Sequence, residues 1–461
     1  MVTGHESLLT RSALPRPPDR SRSGPGRAWS AVLPVGAGVV LGLAAGVVPG
    51  PLALAMVAAA VTAGLLLHLE WAAMAVVGAA LFDDYLMAVD PRISKLLAAV
   101  LVVSWVVWRC STRRQVAGGS RVRLAALAFA GVLAAAAVVH NNGDAGLAVA
   151  LRYAGFLGVF LVLSDVLRDR LSPRQVARWY VVACVAASLC GLATFALAQD
   201  RRVGGPIGDP NDLAFFLLPA VALAPAVRGE GRGRRFWDAG ALVVVVAIVG
   251  TLSRGALVGL AGMLLLVLLS GMVRARVLAG LCAAASVAVL VVVVALPGLV
   301  SVSLHQKGVV ADQNVSERLD LWAAAGRMTV EHPLLGLGPG AFALHHQDYS
   351  TALPDDVNHP LDVAHNTWLE AASELGLAGL TAFVAVLVLA FVEAWGAWRR
   401  RGDPVAAAVC AALVGTTLAA TFVSEQYYLP FWLLAALAVG VGARSRSTGG
   451  ALVAVDRAGR R

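Results

Sequence analysis

The chain has 461 residues, of which 59% are hydrophobic and only 14% charged, and its mean hydropathy is +0.76. That balance leaves too little polar surface to enclose a water-soluble core, so lipid must be the solvent for most of the chain. The formal net charge of +9 raises the question of nucleic acid, but the basic residues gather in short breaks between apolar stretches, which makes them markers of topology and excludes a nucleic-acid footprint.

A membrane-crossing helix needs about 20 largely apolar residues, and the sequence supplies about fourteen such stretches, or about twelve if the short and tightly coupled ones merge. They run near 29–48, 50–67, 70–88, 93–109, 122–139, 145–166, 175–198, 211–227, 237–253, 255–273, 276–296, 374–398, 404–422 and 427–443. The expected fold class is all-α, a polytopic integral membrane helical bundle with one large extracytoplasmic loop between late helices. Residues 1–28, with Arg11, Arg16, Arg20, Arg22 and Arg27 among Pro, Ser and Gly, read as a disordered basic cytoplasmic tail. No small-residue cleavage site follows the first apolar stretch, which reads as a retained helix. Then come an N-terminal transmembrane bundle over 29–296, the loop with amphipathic helices over 297–373, C-terminal transmembrane helices over 374–443 and a cytoplasmic tail over 444–461.

The basic clusters set the orientation. With the N-terminus inside, Arg109, Arg113, Arg114, Arg121 and Arg123, then Arg228, Arg232, Arg234 and Arg235, then Arg399 to Arg401 all fall on the cytoplasmic side. Both termini are then cytoplasmic, and the protein is expected as a multi-pass protein of the cytoplasmic (inner) membrane. The five cysteines, Cys110, Cys184, Cys190, Cys282 and Cys410, lie in or at the edge of spans without metal-ligand spacing and read as small apolar packing residues.

Within the loop, residues 316–331, SERLDLWAAAGRMTVE, read as an amphipathic helix with Ser316 as N-cap and Leu319, Trp322, Ala323 and Gly326 on one face. HPLLGLGPGAF ends it with Pro333 and a Gly-rich turn. A second helix begins near His365 and Asn366 and leads through Glu370 and Glu374 into the next span. No internal repeat is visible.

Sorted by side, the informative polar residues gather outside: Arg201 and Arg202 with GGPIGDPN, Arg254 in TLSRG, Arg318, and His365. Such convergence is what a substrate site requires. Each has a plainer reading beside it. For Arg254 it is an interfacial arginine closing a hairpin, a reading the cost of charge there makes the weaker one; for Arg318, with Glu317 and Asp320, it is a solvated helix face that accounts for it equally well. Arg152, inside its span within ALRYAGF, is either a substrate contact or the partner of a buried acid. His332, His345, His346 and His359 read as turn or surface residues, and their spacing matches no zinc pattern.

The stretches TLSRGALVGL, ERLDLWAAAGRMTVEHPLLGLGPGAF and AHNTWLEAASELGLAGL together resemble the O-antigen ligase and O-antigen polymerase family of bacterial membrane proteins. A hallmark of the ligases is His-Asn, nine residues, then Gly-x-x-Gly. It is met here by His365, Asn366 and, nine residues on, Gly376 to Gly379. VGGPIGDPNDLAFFL also fits, whereas the ligase pattern Arg-x-x-x-Leu is met only in part, because Trp322 stands where Leu is expected after Arg318.

The resemblance implies a membrane glycosyltransferase that takes a glycan from undecaprenyl pyrophosphate at the outer face of the membrane and joins it to an acceptor hydroxyl. It implies Arg254 and Arg318 as pyrophosphate contacts with Arg201 or Arg202 in reserve, His365 as the base, and Asn366 or Glu370 orienting it, with no cofactor or metal. The expected partners are the lipid-linked glycan, an acceptor glycan, lipid or cell-wall polymer, the bilayer, and in the cell a flippase and a chain-length regulator. Ligase and polymerase differ in acceptor and stay open, as does the sugar. The competing reading is a transporter or flippase without chemistry, since many-helix proteins with intramembrane charge often move substrates. The lack of an inverted repeat argues against it.

Overall fold

A computed structural model describes residues 59–112 (Ala60 apart), 119–197, 202–228, 232–272, isolated helical positions between 280 and 294, 317–351 and 363–458. The chain divides into two units, Met1–Gly64 and Leu65–Arg461. The described residues of the second form helices and short turns, without a strand. In chain order its helices are α1 Leu69–Ala79, α2 Asp83–Val89, α3 Ile93–Thr112, α4 Arg121–Val139, α5 Gly143–Asp169, α6 Pro173–Leu197, α7 Pro210–Val227, α8 Arg232–Gly250, α9 Arg254–Ser270, α10 over 317–331, α11 Ala341–His345, α12 Thr367–Arg401, α13 Pro404–Ala419 and α14 Leu429–Ala458.

Seven helices among the described residues are long and apolar enough to cross a membrane: α3 to α7, α12, and α13 with its extension to Phe422. An eighth crossing counts if Val61–Leu67 and Leu69–Ala79 form one broken span. The expected spans 29–48 and 276–296 lie wholly or largely outside the described residues, so the higher count from sequence is not tested there. The expected single span over 70–88 is not continuous: α1 ends at Ala79 and α2 starts at Asp83. Asp83 and Asp84 in the first turn of α2 suit a helix start, where the dipole favours negative charge, better than a span interior.

The bundle interior is aromatic. Phe129 of α4, Tyr153 and Phe160 of α5, Phe383 of α12 and Phe431 and Trp432 of α14 are all buried. Their rings meet at 5.4–6.1 Å in the Phe129–Phe383, Phe129–Trp432, Phe160–Trp432, Phe383–Phe431 and Phe383–Trp432 pairs. Edge and tilted packing of this kind adds to burial and fixes which helices are neighbours.

The two ends of the bundle differ in charge. At one end, arginines close the turns: Arg170 pairs with Glu70 at 2.6 Å, Arg178 donates to the Val227 carbonyl at 2.9 Å, and Arg444 donates to the Leu171 carbonyl at 3.1 Å. Nearby, Asp165 accepts from Arg109 at 2.9 Å and from the Trp105 indole at 3.0 Å. The opposite end carries the turns at 140–142, 202–209, 251–253 and 420–428 together with residues 317–351 and 363–366, and hydrogen bonds tie these together.

Candidate functional site

Glycines bring the backbone segments of that end into contact. In GLGPG, Leu337 and Gly338 donate to the carbonyls of Ser373 and Glu374 at 3.0 and 2.8 Å, and Leu377 donates back to Pro333 at 2.8 Å. Gly376 sits at φ 65°, a break inside α12, where an added Cβ would overlap the Leu334 carbonyl oxygen. Gly336, at φ 64°, faces the Glu374 backbone nearly as closely. Asn142, from the turn before α5, donates to Leu337 and Pro339 carbonyls at 2.9 and 3.0 Å. The Gly-rich turn is therefore a backbone-to-backbone junction that locks the loop to α12 and α5.

The phase of α10 differs from expectation. Its buried stripe is Leu321, Ala324, Ala325 and Met328, and Leu321, Ala325 and Met328 pack with Phe342 and Ala364. Leu319 is exposed. The helix turns so that Arg318 and Trp322, at i and i+4, both reach the chain beside His365. Arg318 donates from Nη1 to the Phe422 carbonyl at 3.2 Å, and Trp322 donates from Nε1 to the Ala364 carbonyl at 3.1 Å. The expected N-cap, Ser316, lies outside the described residues.

The GGPIGDPN and TLSRG turns meet through Arg202. Its Nε donates to the Thr251 carbonyl at 2.7 Å and its Nη2 to Asn211 Oδ1 at 2.9 Å. Asp209 caps α7, accepting from the Asn211 and Asp212 amides at 2.6 and 3.4 Å, with Pro210 in the first helical position, where a missing N–H costs nothing. Ser253 caps α9, leaving the exposed Arg254 as its first residue. Gly255 packs against Phe422, with an added Cβ only 2.7 Å from the Phe422 Cβ. Phe422 thus lies between the start of α9, with Arg254, and the guanidinium of Arg318.

Three arginines and one histidine therefore share an electrostatic neighbourhood. Burial lowers the pKa of Arg318, the Arg254 guanidinium lowers it further, and Asp209 works against both. Arg202 is likewise lowered by burial and by Arg318 and supported by Asp209. Both stay charged at any ordinary pH. Burial, and then Arg318, push His365 down to about 4, with Asp209 pulling the other way. Three guanidiniums set against Asp209 and Glu317 leave a surplus of one positive charge among these groups, which suits an anionic ligand.

His365 stands just before α12 at φ 49°, a left-handed backbone conformation unusual for a residue with a side chain. The other two residues read with it from sequence turn their polar atoms inward. Asn366 is buried and caps α12, accepting from the Trp368 and Leu369 amides at 3.1 Å each. Glu370 is buried and accepts from the Ala364 amide at 2.8 Å, Ser424 Oγ at 2.5 Å, Gln426 Nε2 at 2.7 Å and Tyr427 OH at 3.2 Å. A carboxylate met by four donors is a hub holding the chain on both sides of it.

Arg152 lies apart from the other arginines. It is exposed on α5, its guanidinium 5.2 and 5.7 Å from the Tyr427 and Tyr428 ring centres and its Nη1 3.5 Å from Tyr428 OH. Its neighbours are thus aromatic faces rather than the buried acid weighed from sequence. Arg201 and His359 lie outside the described residues. Among the loop histidines, His346 is buried with Nδ1 3.1 Å from the Phe342 carbonyl oxygen, and His332 Nε2 lies 3.4 Å from Tyr349 OH.

Sequence reasoning missed the 422–428 turn. It supplies the carbonyls for Arg318 and Thr367 and three of the donors to Glu370. It also places Glu425 against Asp212, and burial and then that carboxyl hold Glu425 well above the usual carboxylate range. The signal was the polar run Ser424 to Gln426 in a very short break between two apolar stretches.

Residues 239–384 match a family model described as O-antigen ligase. The matched stretch begins in α8, ends in α12, and takes in Arg254, Arg318, Trp322, the Gly-rich turn and His365; it supports the O-antigen ligase/polymerase family for this chain. No curated protein matches the chain.

Proposed function

We propose that this member of the O-antigen ligase/polymerase family transfers a glycan from undecaprenyl pyrophosphate to an acceptor hydroxyl at the outer face of the cytoplasmic membrane. The observation that carries the reading is that Arg318 acts on His365 and is itself neighboured by Arg202 and Arg254, at the end of the bundle away from the arginine-closed turns. The charge difference between the ends supports an extracytoplasmic site with both termini cytoplasmic.

The chemistry follows from the groups present. The acceptor oxygen attacks the anomeric carbon, the bond from that carbon to the pyrophosphate oxygen breaks, and the pyrophosphate leaves on its lipid with the bonding electrons. Arg254 and Arg318 hold that leaving group through planar N–H forks. His365 takes the proton from the acceptor hydroxyl. With its pKa near 4 the free imidazole is neutral, and so open to a proton, at any physiological pH. A pyrophosphate bound to Arg318 offsets the charge that depresses His365 and raises its basicity when substrate is in place. Arg202 holds the two turns beneath the site, Asn366 and Glu370 support the His365 segment, and Arg152 lies on the flank. A flippase supplying the lipid-linked glycan and a chain-length regulator are its expected companions.

The test is His365→Ala in full-length protein supplied with a defined undecaprenyl-pyrophosphate oligosaccharide and acceptor. Product formation is expected to fall by about 10²-fold or more, the usual contribution of a positioned base. Undiminished product overturns the reading, and movement of the lipid-linked substrate without a new glycosidic bond favours a transporter.

A further inference from the structure

His365 keeps a left-handed backbone, φ 49°, which a residue with a side chain seldom adopts. Such a conformation persists where the neighbouring peptides are held. On the far side, the Asn366 carbonyl accepts from the Glu370 amide at 2.9 Å, and the Thr367 amide donates to the Val423 carbonyl at 2.8 Å. On the near side, Ala364 is gripped at both polar atoms: its amide donates to Glu370 Oε2 at 2.8 Å and its carbonyl accepts from Trp322 Nε1 at 3.1 Å.

The bond from Trp322 differs from the others in origin. Those from Glu370, Asn366 and Val423 come from α12 and the 422–428 turn, whereas Trp322 belongs to α10, one turn beyond Arg318. Ala364 shares an apolar cluster with Leu321, Ala325, Met328 and Phe342, but apolar packing is non-directional and does not fix the rotation of the 364–365 peptide. A hydrogen bond does. The leucine expected at this position from the Arg-x-x-x-Leu pattern has no donor to offer.

We propose that Trp322 is a positioning residue, whose indole N–H holds the Ala364 carbonyl so that His365 faces Arg318 in its left-handed conformation. This rests on the reading of His365 as the base and adds what sets the base against the leaving-group arginine. The charged groups that act on His365 are Arg318 from α10 and Asp209 from the turn before α7, with Arg254 of α9 and Arg202 acting on Arg318 or beside it. Glu370 is the charged partner from its own helix, through the Ala364 amide.

The test uses diethyl pyrocarbonate, which modifies neutral imidazole, on full-length protein in lipid nanodiscs, with modification of each histidine followed by mass spectrometry. Trp322→Phe keeps an aromatic ring and removes the donor. In the unsubstituted protein the rate at His365 is expected to stay flat from pH 5 to 8. In Trp322→Phe it is expected to fall about twofold or more between pH 8 and 5, as His365 leaves Arg318 and moves toward its ordinary pKa of about 6.5. Superimposable profiles overturn the proposal. So does a variant in which the buried His346 also becomes reactive, because Trp322 would then be holding the whole loop rather than one peptide. Full turnover by His365→Ala would remove the catalytic meaning of the position while leaving the reactivity profile to stand, so the two failures are separable.

Discussion

Arg318 donates to the backbone carbonyl of Phe422 at 3.2 Å, and the same phenylalanine is packed against Gly255 beside Arg254. The chain thereby brings a helix from the loop, the start of α9 and the turn before α14 to one point. No two of these are near in sequence. The guanidinium that makes the bond also depresses His365, so one residue bears on both the leaving group and the base.

Arg318→Ala should therefore have two effects that separate. Loss of a group that stabilises developing charge is expected to lower kcat by about 10²-fold or more. Removing the positive charge beside His365 should also raise the histidine from about 4 toward its ordinary value. Below its pKa the imidazole is protonated and cannot act as a base, so the acid limb of kcat/KM, which reports the free enzyme, moves to higher pH. Burial, the larger cause of the depression, remains in the variant, so its acid limb should lie above that of the unsubstituted protein and still below that of an ordinary histidine. An acid limb at the same pH in both proteins would dissociate Arg318 from His365.

Gly376→Ala tests the backbone junction under the site. The position combines φ 65° with a Leu334 carbonyl oxygen that an added Cβ would overlap, so strain and clash act together. Gly271 has a similar φ, 68°, but at ψ 18° it lies in the left-handed helical region that other residues visit at modest cost, whereas Gly376 at ψ −175° lies where essentially only glycine goes; Gly271 also has nothing within 4 Å of an added Cβ. Gly271→Ala should cost about 1 kcal/mol, the strain alone, and Gly376→Ala about 3 kcal/mol or more. Thermal unfolding of the detergent-solubilised variants measures the difference. Equal shifts in the two variants would mean that the Gly-rich turn and α12 do not meet as described.

These cases mark how far the sequence could be read. Arg254 was legible because a charge in an apolar chain is costly, whereas Arg318 and His365, in a polar loop, were legible through the family resemblance of the stretches around them. Gly376 was legible as part of a spacing, but the reason for it, a carbonyl approaching from Leu334, is a contact between distant segments. The phase of α10 was misread by placing Leu319 on the buried face. Leucine is apolar, yet on a helix also lined by Leu321, Ala325 and Met328 the partner decides which apolar stripe is buried, and Phe342 and Ala364 take the latter. The roles of Asn366 and Glu370 were hidden for the same reason: capping and carboxylate hubs depend on donors that only folding delivers, here Ser424, Gln426 and Tyr427.

Orientation in the membrane is the remaining consequence of the charge pattern, and two substitutions decide it. Ser111, at the end of α3 beside Arg109, is exposed at the arginine-closed end, and Thr351, just past the α11 segment, is exposed at the opposite one. In a background with Cys110→Ala, because Cys110 is itself exposed, each position is changed to cysteine and intact cells are treated with a membrane-impermeant maleimide. Arginines retained on the cytoplasmic side predict labelling of Thr351→Cys in intact cells and of Ser111→Cys only after lysis. The reverse pattern would place His365 and its arginines inside the cell, where glycan donors are carried on nucleotides, and an outer-face transfer from a lipid pyrophosphate would have to be abandoned.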